Sequence, residues 1–454
     1  MIWQLLEAHL YAVSVAFLTL IGAVILMQER RSPQSTLAWI LAMLVVPWAA
    51  VPLFLALGTR KIVRRQKRPL PVKHEYASSR SATFEALGAF PAREGNRLRL
   101  IQKPALAMSE VLEMVASAKH SIDAQFYIVA DDPEGRAFVN ALVTKARQGV
   151  RVRLMIDRIG TLVPPRLELE RLKIAGGQYH WQAPLLNRWG RGGLNLRNHR
   201  KALIVDGKRM LTGGMNIGSD YMRLTAPGAG DPPPFDDLMI RVEGPAVADF
   251  SNLFRTDWKY SGGPPTEAVP LPQGFRQGRE RVQLVPAGPD LPLDGLHLGM
   301  VHAIHRANQR VWIATPYFLP TEALASALAT AARRGLDVRL LLPQHSNHRM
   351  TDFARGAYLR GLEAEGCHVY LLPRMLHAKA GIFDEMAWVG TANLDVRSLQ
   401  INFETALMLY GSETVLTLER WFEQRFEQSH QGMERATLIR RLGEGLFRLG
   451  APLL

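Results

Sequence analysis

The feature that most restricts how this chain can fold is an internal repeat. Lys145–Asp157 reads KARQGVRVRLMID and Ala331–Pro343 reads AARRGLDVRLLLP. In both, a helical pattern ends at a glycine and an apolar strand follows; glycine closes a helix cheaply because it accepts a left-handed conformation. The surroundings repeat as well. Ahead of the first block lie a helical pattern with Val111, Val115 and Ala118 at helix spacing, the run Ile122–Ile128, and a helix over about 135–148. Ahead of the second lie a helix over about 296–307, the strand Arg310–Ala314 and a helix over about 321–334. Strands alternating with helices predict an α/β fold with a largely parallel sheet in each half. The two halves make a pseudo-dimer, residues 96–262 and 285–454, joined over 263–284, where Gly263, Pro264, Pro265, Pro270 and Pro272 cluster.

The same two halves carry the chemistry. The first reads Asn198-His199-Arg200-Lys201 and reaches Asp206; Gly213-Gly214-Met215-Asn216 follows. The second reads Leu376-His377-Ala378-Lys379 and reaches Asp384; Gly390-Thr391-Ala392-Asn393 follows. On a strand, residues two apart share a face, so each His–Lys pair can look into one pocket. A single such motif would read as a core histidine and a solvated lysine. Its recurrence at equivalent places in both repeats predicts one shared active site. Two imidazoles, two ammonium groups and two amides suit a phosphodiester. Lysines and asparagines can hold the non-bridging oxygens, one imidazole can attack phosphorus, and the other can protonate the leaving alcohol. No metal-ligand spacing accompanies the set, so neither a metal nor another cofactor is inferred.

The N-terminus narrows the substrate. Leu10–Met27 and Leu37–Leu57 contain no charged residue, and each is long enough to cross a bilayer core as a helix. They predict an anchor over residues 1–60, a hairpin of two transmembrane helices at about 5–28 and 36–58. Pro47 and Pro52 would kink the second, or leave it a re-entrant or interfacial segment. A basic connector over 61–95 follows, and with Arg60, Lys61, Arg64, Arg65, Lys67 and Arg68 it places the catalytic body in the cytoplasm. A formal net charge of +14 favours an anionic membrane. One cysteine, Cys367, excludes an intrachain disulfide.

The motif pair resembles that of the phospholipase D superfamily. The segments RNHRKALIVDGKRMLTGGMNIGSDY, IRVEGPAV, ATPYFLP and GTANLDVRSLQINFE, with the apolar N-terminus, are similar to bacterial cardiolipin synthases of that type. The resemblance implies a phosphatidyltransferase of the bacterial inner membrane, with catalytic positions His199, Lys201, Asp206, His377, Lys379 and Asp384. Its reaction joins two phosphatidylglycerol molecules into cardiolipin and glycerol through a phosphohistidine; phosphatidylethanolamine is an alternative donor. The resemblance also implies that Glu404 orients one imidazole and that Asp237 is the matching carboxylate. The run Asp231-Pro-Pro-Pro-Phe-Asp-Asp237 departs from the family's usual approach, so Asp236 competes for that role. By analogy His199 is the nucleophile and His377 the acid and then base, an order that the near-symmetry leaves open. The rival activities are phospholipid hydrolysis and, against the two apolar runs, a nuclease; no nucleic acid is expected as partner. A lipid-binding scaffold would need neither histidine. A homo-oligomer is compatible with the sequence. Softer features are Arg188, Arg191, Arg197 and Arg200 as headgroup contacts, Tyr317 and Phe318 as pocket lining, and an amphipathic tail over 437–454.

Overall fold

The computed structural model describes residues 2–27, 33–58, 80–182, 195–224, 228, 230–270 and 274–450. Its N-terminal part holds α1 (Ile2–Met27), α2 (Pro33–Val45), α3 (Pro47–Leu57) and α4 (Arg80–Ala86). The first lobe runs β1 (Arg93–Ile101), α5 (Pro104–Ala116), β2 (Ser121–Phe126), α6 (Pro133–Arg147), β3 (Arg151–Asp157) and α7 (Arg166–Ile174). It continues through β4 (Gln178–Gln182), β5 (Ala202–Val205), β6 (Arg209–Gly213), β7 (Met239–Glu243) and α8 (Ala246–Tyr260). The second lobe runs β8 (Glu280–Ala287), α9 (Gly295–Arg306), β9 (Arg310–Ala314), β10 (Phe318–Leu319), α10 (Glu322–Arg333), β11 (Asp337–Pro343) and α11 (Arg349–Ala364). Next come β12 (His368–Leu372), β13 (Ala380–Phe383), β14 (Met386–Gly390), β15 (Leu394–Asp395), α12 (Val396–Gln400) and β16 (Glu404–Leu409). The chain finishes with α13 (Ser412–Glu427), β17 (His430–Gln431) and α14 (Leu438–Gly450).

The repeat is visible in the strand order. One sheet of 15 strands reads β17-β12-β11-β9-β13-β14-β16-β8-β1-β7-β6-β5-β2-β3-β4. Outward from the β8–β1 junction the two halves follow equivalent paths, so β1 corresponds to β8, β2 to β9, β3 to β11 and β5 to β13. Two expectations change here. The lobes share a continuous sheet, and each half is mixed rather than largely parallel. Within this sheet, among the described residues, only β2–β3–β4 and β9–β11–β12 run parallel; β10 and β15 form a separate parallel pair. The catalytic strand β5 is antiparallel to β2, and β13 to β9. The parallel part of each half ends with its βαβ units; beyond it β5–β6 and β13–β14 are tight hairpins, which can only join antiparallel strands.

Helices α6 and α10 are built alike. Asp132 caps α6 by accepting the Gly135 N–H at 2.8 Å, and Thr321 caps α10 by accepting that of Leu324 at 3.2 Å. Beyond their C-termini Gly149 and Gly335 take φ of +83° and +85° in open space, so backbone conformation explains glycine there. The side chains of α8 and α13 (Phe254, Trp258, Trp421 and Phe422 among them) form one core across both lobes. Separate cores under α5–α7 and α9–α11 cover the other face.

The N-terminal helices differ from the expected pair. The first apolar run lies in α1, 26 residues long, but the second is split into α2 and α3 of 13 and 11 residues. Val46 sits between them at φ −137°, outside the helical region, because the ring of Pro47 disfavours a helical residue before it. At 1.5 Å per residue these helices are about 20 and 17 Å long, each short of a bilayer core of about 30 Å. Among the described residues no helix is long and apolar enough to cross a membrane.

Candidate active site

Both motifs enter the site on the approach to a hairpin, and both are held by the opposite lobe. Asn198 bridges Phe403, and the His199 N–H donates to the Phe403 carbonyl at 2.9 Å. Equivalently, Leu376 bridges Asp236, and the His377 N–H donates to the Asp236 carbonyl at 2.7 Å. The residue after each acceptor supplies a fully buried carboxylate. Glu404 Oε1 lies 3.2 Å from His199 Nδ1, and Asp237 Oδ2 lies 2.6 Å from His377 Nδ1. Each imidazole is therefore oriented from the other lobe. With Nδ1–H donating to a carboxylate, Nε2 is the nitrogen left for chemistry, a tautomer assigned from this network.

Asp236 is excluded as the orienting group. Its carboxylate is taken by Arg374 at 2.6 Å and Arg425 at 3.1 Å, while Asp237 faces the ring. Gly214 makes this arrangement possible, since a Cβ there would stand 2.1 Å from Asp237 Oδ1. At the matching place in the second lobe the longer Glu404 is met by Thr391, whose hydroxyl donates to Oε2 at 2.5 Å.

The lysines stand against their histidines. Lys201 Nζ donates to the His199 carbonyl at 2.6 Å. Lys379 Nζ donates to the His377 carbonyl and lies 2.9 and 3.0 Å from the two ring nitrogens. Burial pushes Lys201 down to about 8 and Lys379 down to about 7; the nearby carboxylates oppose the shift. His377 falls to about 4, first through burial and then through the Lys379 charge. Lys201 and Glu404 act on Lys379, and Asp237 acts on Lys201. The charged groups of the two lobes thus lie within electrostatic reach of one another, and an anion bound beside the lysines would favour their charged forms.

Asn216 is buried, with Oδ1 accepting the Ile128 N–H at 3.2 Å, and Asn393 Oδ1 is buried with no protein partner. The two remaining signature residues stand elsewhere. Asp206 accepts the N–H groups of Lys119, His120 and Ser121 at 3.0, 2.7 and 2.9 Å, at the start of β2. Asp384 accepts those of Asn308, Gln309 and Arg310 at 3.0, 3.0 and 3.1 Å, ahead of β9. Both take φ of +53°, a conformation aspartate tolerates better than most residues. They tie the hairpin to the neighbouring strand at the end away from the imidazoles.

The arginines expected to meet a headgroup divide. Arg188 and Arg191 lie outside the described residues. Arg197 is buried 3.8 Å from Asp157. Arg200 is buried too, donating to Asp257 at 2.5 Å and to the carbonyls of Glu404 and Ala287 at 3.1 and 2.9 Å. It braces the strand that carries Glu404 and is not a headgroup contact. Phe318 belongs to the core, whereas Tyr317 reaches Asn347 by a 2.5 Å hydrogen bond. Sequence reasoning missed two aromatics. Tyr127 lies 4.1 Å from the His199 ring and Tyr221 lies 5.1 Å from that of His377. Burial pushes the Tyr127 phenol up to about 12, keeping it a donor. Tyr127 follows β2 and Tyr221 follows Asn216 by a short loop, so strand ends were the available signal.

With this geometry in view, comparison with known proteins is specific. The family model described as the cardiolipin synthase, PLD-like domain matches residues 111–227 and again 300–426. Cardiolipin synthase A of Pseudomonas syringae pv. syringae is 32% identical over 489 aligned positions, covering 99% of each chain. Cardiolipin synthase 1 of Bacillus anthracis is 31% identical over 475 positions, covering 96% of this chain and 92% of that one. Among solved structures, phosphatidylserine synthase of Haemophilus influenzae superposes with a TM-score of 0.58 at 15% identity, over 78% of this chain and 94% of that chain. That likeness concerns the fold alone. The two model matches cover both lobes, and the relatives align from end to end: the chain belongs to the phospholipase D-like cardiolipin synthases, a family of phosphatidyltransferases.

Proposed function

We propose that this enzyme forms cardiolipin by a two-step exchange in which one imidazole is transiently phosphorylated. Nε2 of one histidine attacks the phosphorus of a phosphatidylglycerol. The P–O bond to the headgroup glycerol breaks, and glycerol leaves with a proton from the second imidazole. That imidazole then takes a proton from the primary hydroxyl of a second phosphatidylglycerol, which attacks phosphorus and frees the first histidine. One phosphodiester replaces another, so no activated donor is consumed. The observation that carries this reading is the crossed pair of carboxylates, which takes Nδ1 of each imidazole and reserves Nε2 for chemistry, with Lys379 Nζ 3.0 Å from that nitrogen at His377. We favour His199 as nucleophile, in keeping with its greater exposure of 20% against 9% for His377. Phosphatidylethanolamine would serve as donor by the same chemistry.

We further propose that residues 1–60 hold the enzyme on the bacterial inner membrane as a two-pass anchor, with α1 as one pass and α2 and α3 together, broken at Val46, as the other, and with the catalytic body in the cytoplasm. The uncharged runs, the exposed Leu10, Phe17, Leu20, Leu41 and Leu44, and the basic stretch Arg60–Arg68 support this placement. The test supplies phosphatidylglycerol in vesicles and resolves products by mass spectrometry. Cardiolipin with equimolar glycerol is expected; phosphatidic acid alone would make the enzyme a hydrolase. His199→Ala and His377→Ala are each expected to abolish transfer while the protein stays folded, and turnover in either would sink the mechanism. An acid-labile phosphatidyl adduct on the peptide containing His199, captured by rapid denaturing quench of the wild-type enzyme turning over phosphatidylglycerol, would identify the nucleophile.

A further inference from the structure

We infer that the mouth of the active site is itself a membrane-docking surface, formed by apolar lips on both lobes that enter an anionic bilayer. The inference rests on the lipid reading above. Strands β3 and β11 are equivalents, and the loop leaving each runs over the site. In the first lobe Thr161 fastens that loop: its hydroxyl donates to the Tyr127 carbonyl at 3.0 Å and accepts the Val129 N–H at 3.1 Å. Tyr127 packs on His199. The next two residues, Leu162 and Val163, are 75% and 69% exposed, and Leu167 and Ile174 continue the exposed apolar stripe along α7.

The second lobe repeats the plan with different residues. Tyr317 donates to Asn347, its ring lies 5.0 Å from that of His348, and α11 opens with Met350, 67% exposed. Helix α14 packs beside α11 in an inverted sense. Its Glu444 is fully buried against Arg360, while Leu442 is 68% exposed. A Cβ on Gly443 would meet Phe353, one turn from Met350, so Leu442 lies at the same end of α11. A helix that buries its carboxylate and presents its leucines is matched to an apolar phase outside the protein. Exposed Arg166 and Arg171 on one lip, and Arg349 and Arg441 on the other, select for anionic headgroups.

The test uses the full chain in phosphatidylglycerol vesicles whose acyl chains carry a quencher. Leu162→Cys, Met350→Cys and Lys208→Cys are labelled with an environment-sensitive fluorophore; Cys367 is buried and leaves each label at a single place. Lys208 lies in the β5–β6 turn, at the opposite end of the strands. Labels at 162 and 350 are expected to shift to the blue and be quenched, and the label at 208 to stay solvent-like. Solvent-like labels at both 162 and 350 would overturn the inference, as would a blue shift that appears without lipid and tracks protein concentration. Second, the triple change Leu162→Ser, Val163→Ser and Met350→Ser should slow turnover on vesicles about tenfold through weaker docking. Exchange between molecules of a short-chain, water-soluble phosphatidylglycerol should be unchanged, and equal slowing on both substrates would count against docking. Label insertion without turnover of any phosphodiester would retain the docking surface and remove the chemistry it serves.

Discussion

Gly214→Ala is the most searching small change in this active site. The new methyl would stand 2.1 Å from Asp237 Oδ1, well inside contact distance. Neither side can yield easily. The Gly214 N–H donates to the Leu238 carbonyl at 2.9 Å, and Asp237 Oδ1 accepts the Leu238 N–H at 2.7 Å. The carboxylate must therefore swing away from His377, breaking the 2.6 Å contact. A hydrogen bond to a charged group contributes about 1.5–3 kcal/mol, which corresponds to about a 10- to 150-fold fall in kcat if the orientation serves the transition state. Overpacking should cost a further 1–3 kcal/mol or so of stability. The assay is the initial rate of cardiolipin formation in phosphatidylglycerol micelles, with thermal unfolding measured in parallel. The pH–rate profile adds a sign. Asp237 raises the His377 pKa, so displacing it lowers that pKa further and moves the limb that needs an imidazolium to lower pH. A variant with wild-type kcat and an unmoved profile would refute the reasoning.

Other expectations follow from the same geometry. Asp206→Asn should lower the unfolding temperature and leave kcat near wild type, because its three backbone partners lie at the start of β2. Backbone N–H donors hold the Asp206 carboxyl below its usual range. Its stabilising share is thus full at neutral pH and is lost as pH falls through that depressed value. Sulfate binding at pH 8 should take up about one proton, and no more than about 1.4, as an anion restores the charge of Lys201 and Lys379, with depressed values of about 8 and 7. Calorimetry in buffers of different ionisation enthalpy reads that number, and zero uptake would remove the lysines from the anion site. Arg200→Met should destabilise the fold by about 3–5 kcal/mol by leaving Asp257 buried and unpaired, and Arg200→Met with Asp257→Leu should recover most of it in denaturant titration.

The sequence already showed the parts of this site whose information is local. His–x–Lys on a strand, a glycine beyond a helix and a Gly-x-x-Asn after a hairpin are short patterns, and each is where it was expected. What the strands do next was less legible. Periodicity marks β2, β3 and β5 as strands but does not orient β5, and the repeated helix–glycine–strand junction drew attention to the parallel part of each lobe. The identity of the orienting carboxylates is non-local altogether. Asp237 lies 140 residues from His377, and only the parallel bridge between Asp236 and Leu376 brings them together. Gly214 and Thr391 look like variation at one motif position. In three dimensions each is fitted to the length of its acid, space for an aspartate and a hydroxyl for a glutamate. The break at Val46 was legible in Pro47 but outweighed by the uncharged run around it.

The crossed carboxylates have a consequence for how such an enzyme could arise. A lobe on its own carries a histidine together with the acid that serves somebody else's histidine. Single lobes would be inert at high dilution and active only when paired, with output falling as the square of concentration. Joining two copies through a short tether makes that encounter intramolecular, at an effective concentration in the millimolar range for short flexible linkers. Activity per molecule then no longer depends on abundance. Once the copies are covalently joined, they are also free to diverge, as Arg200 against Ala378 and Thr391 against Gly214 record.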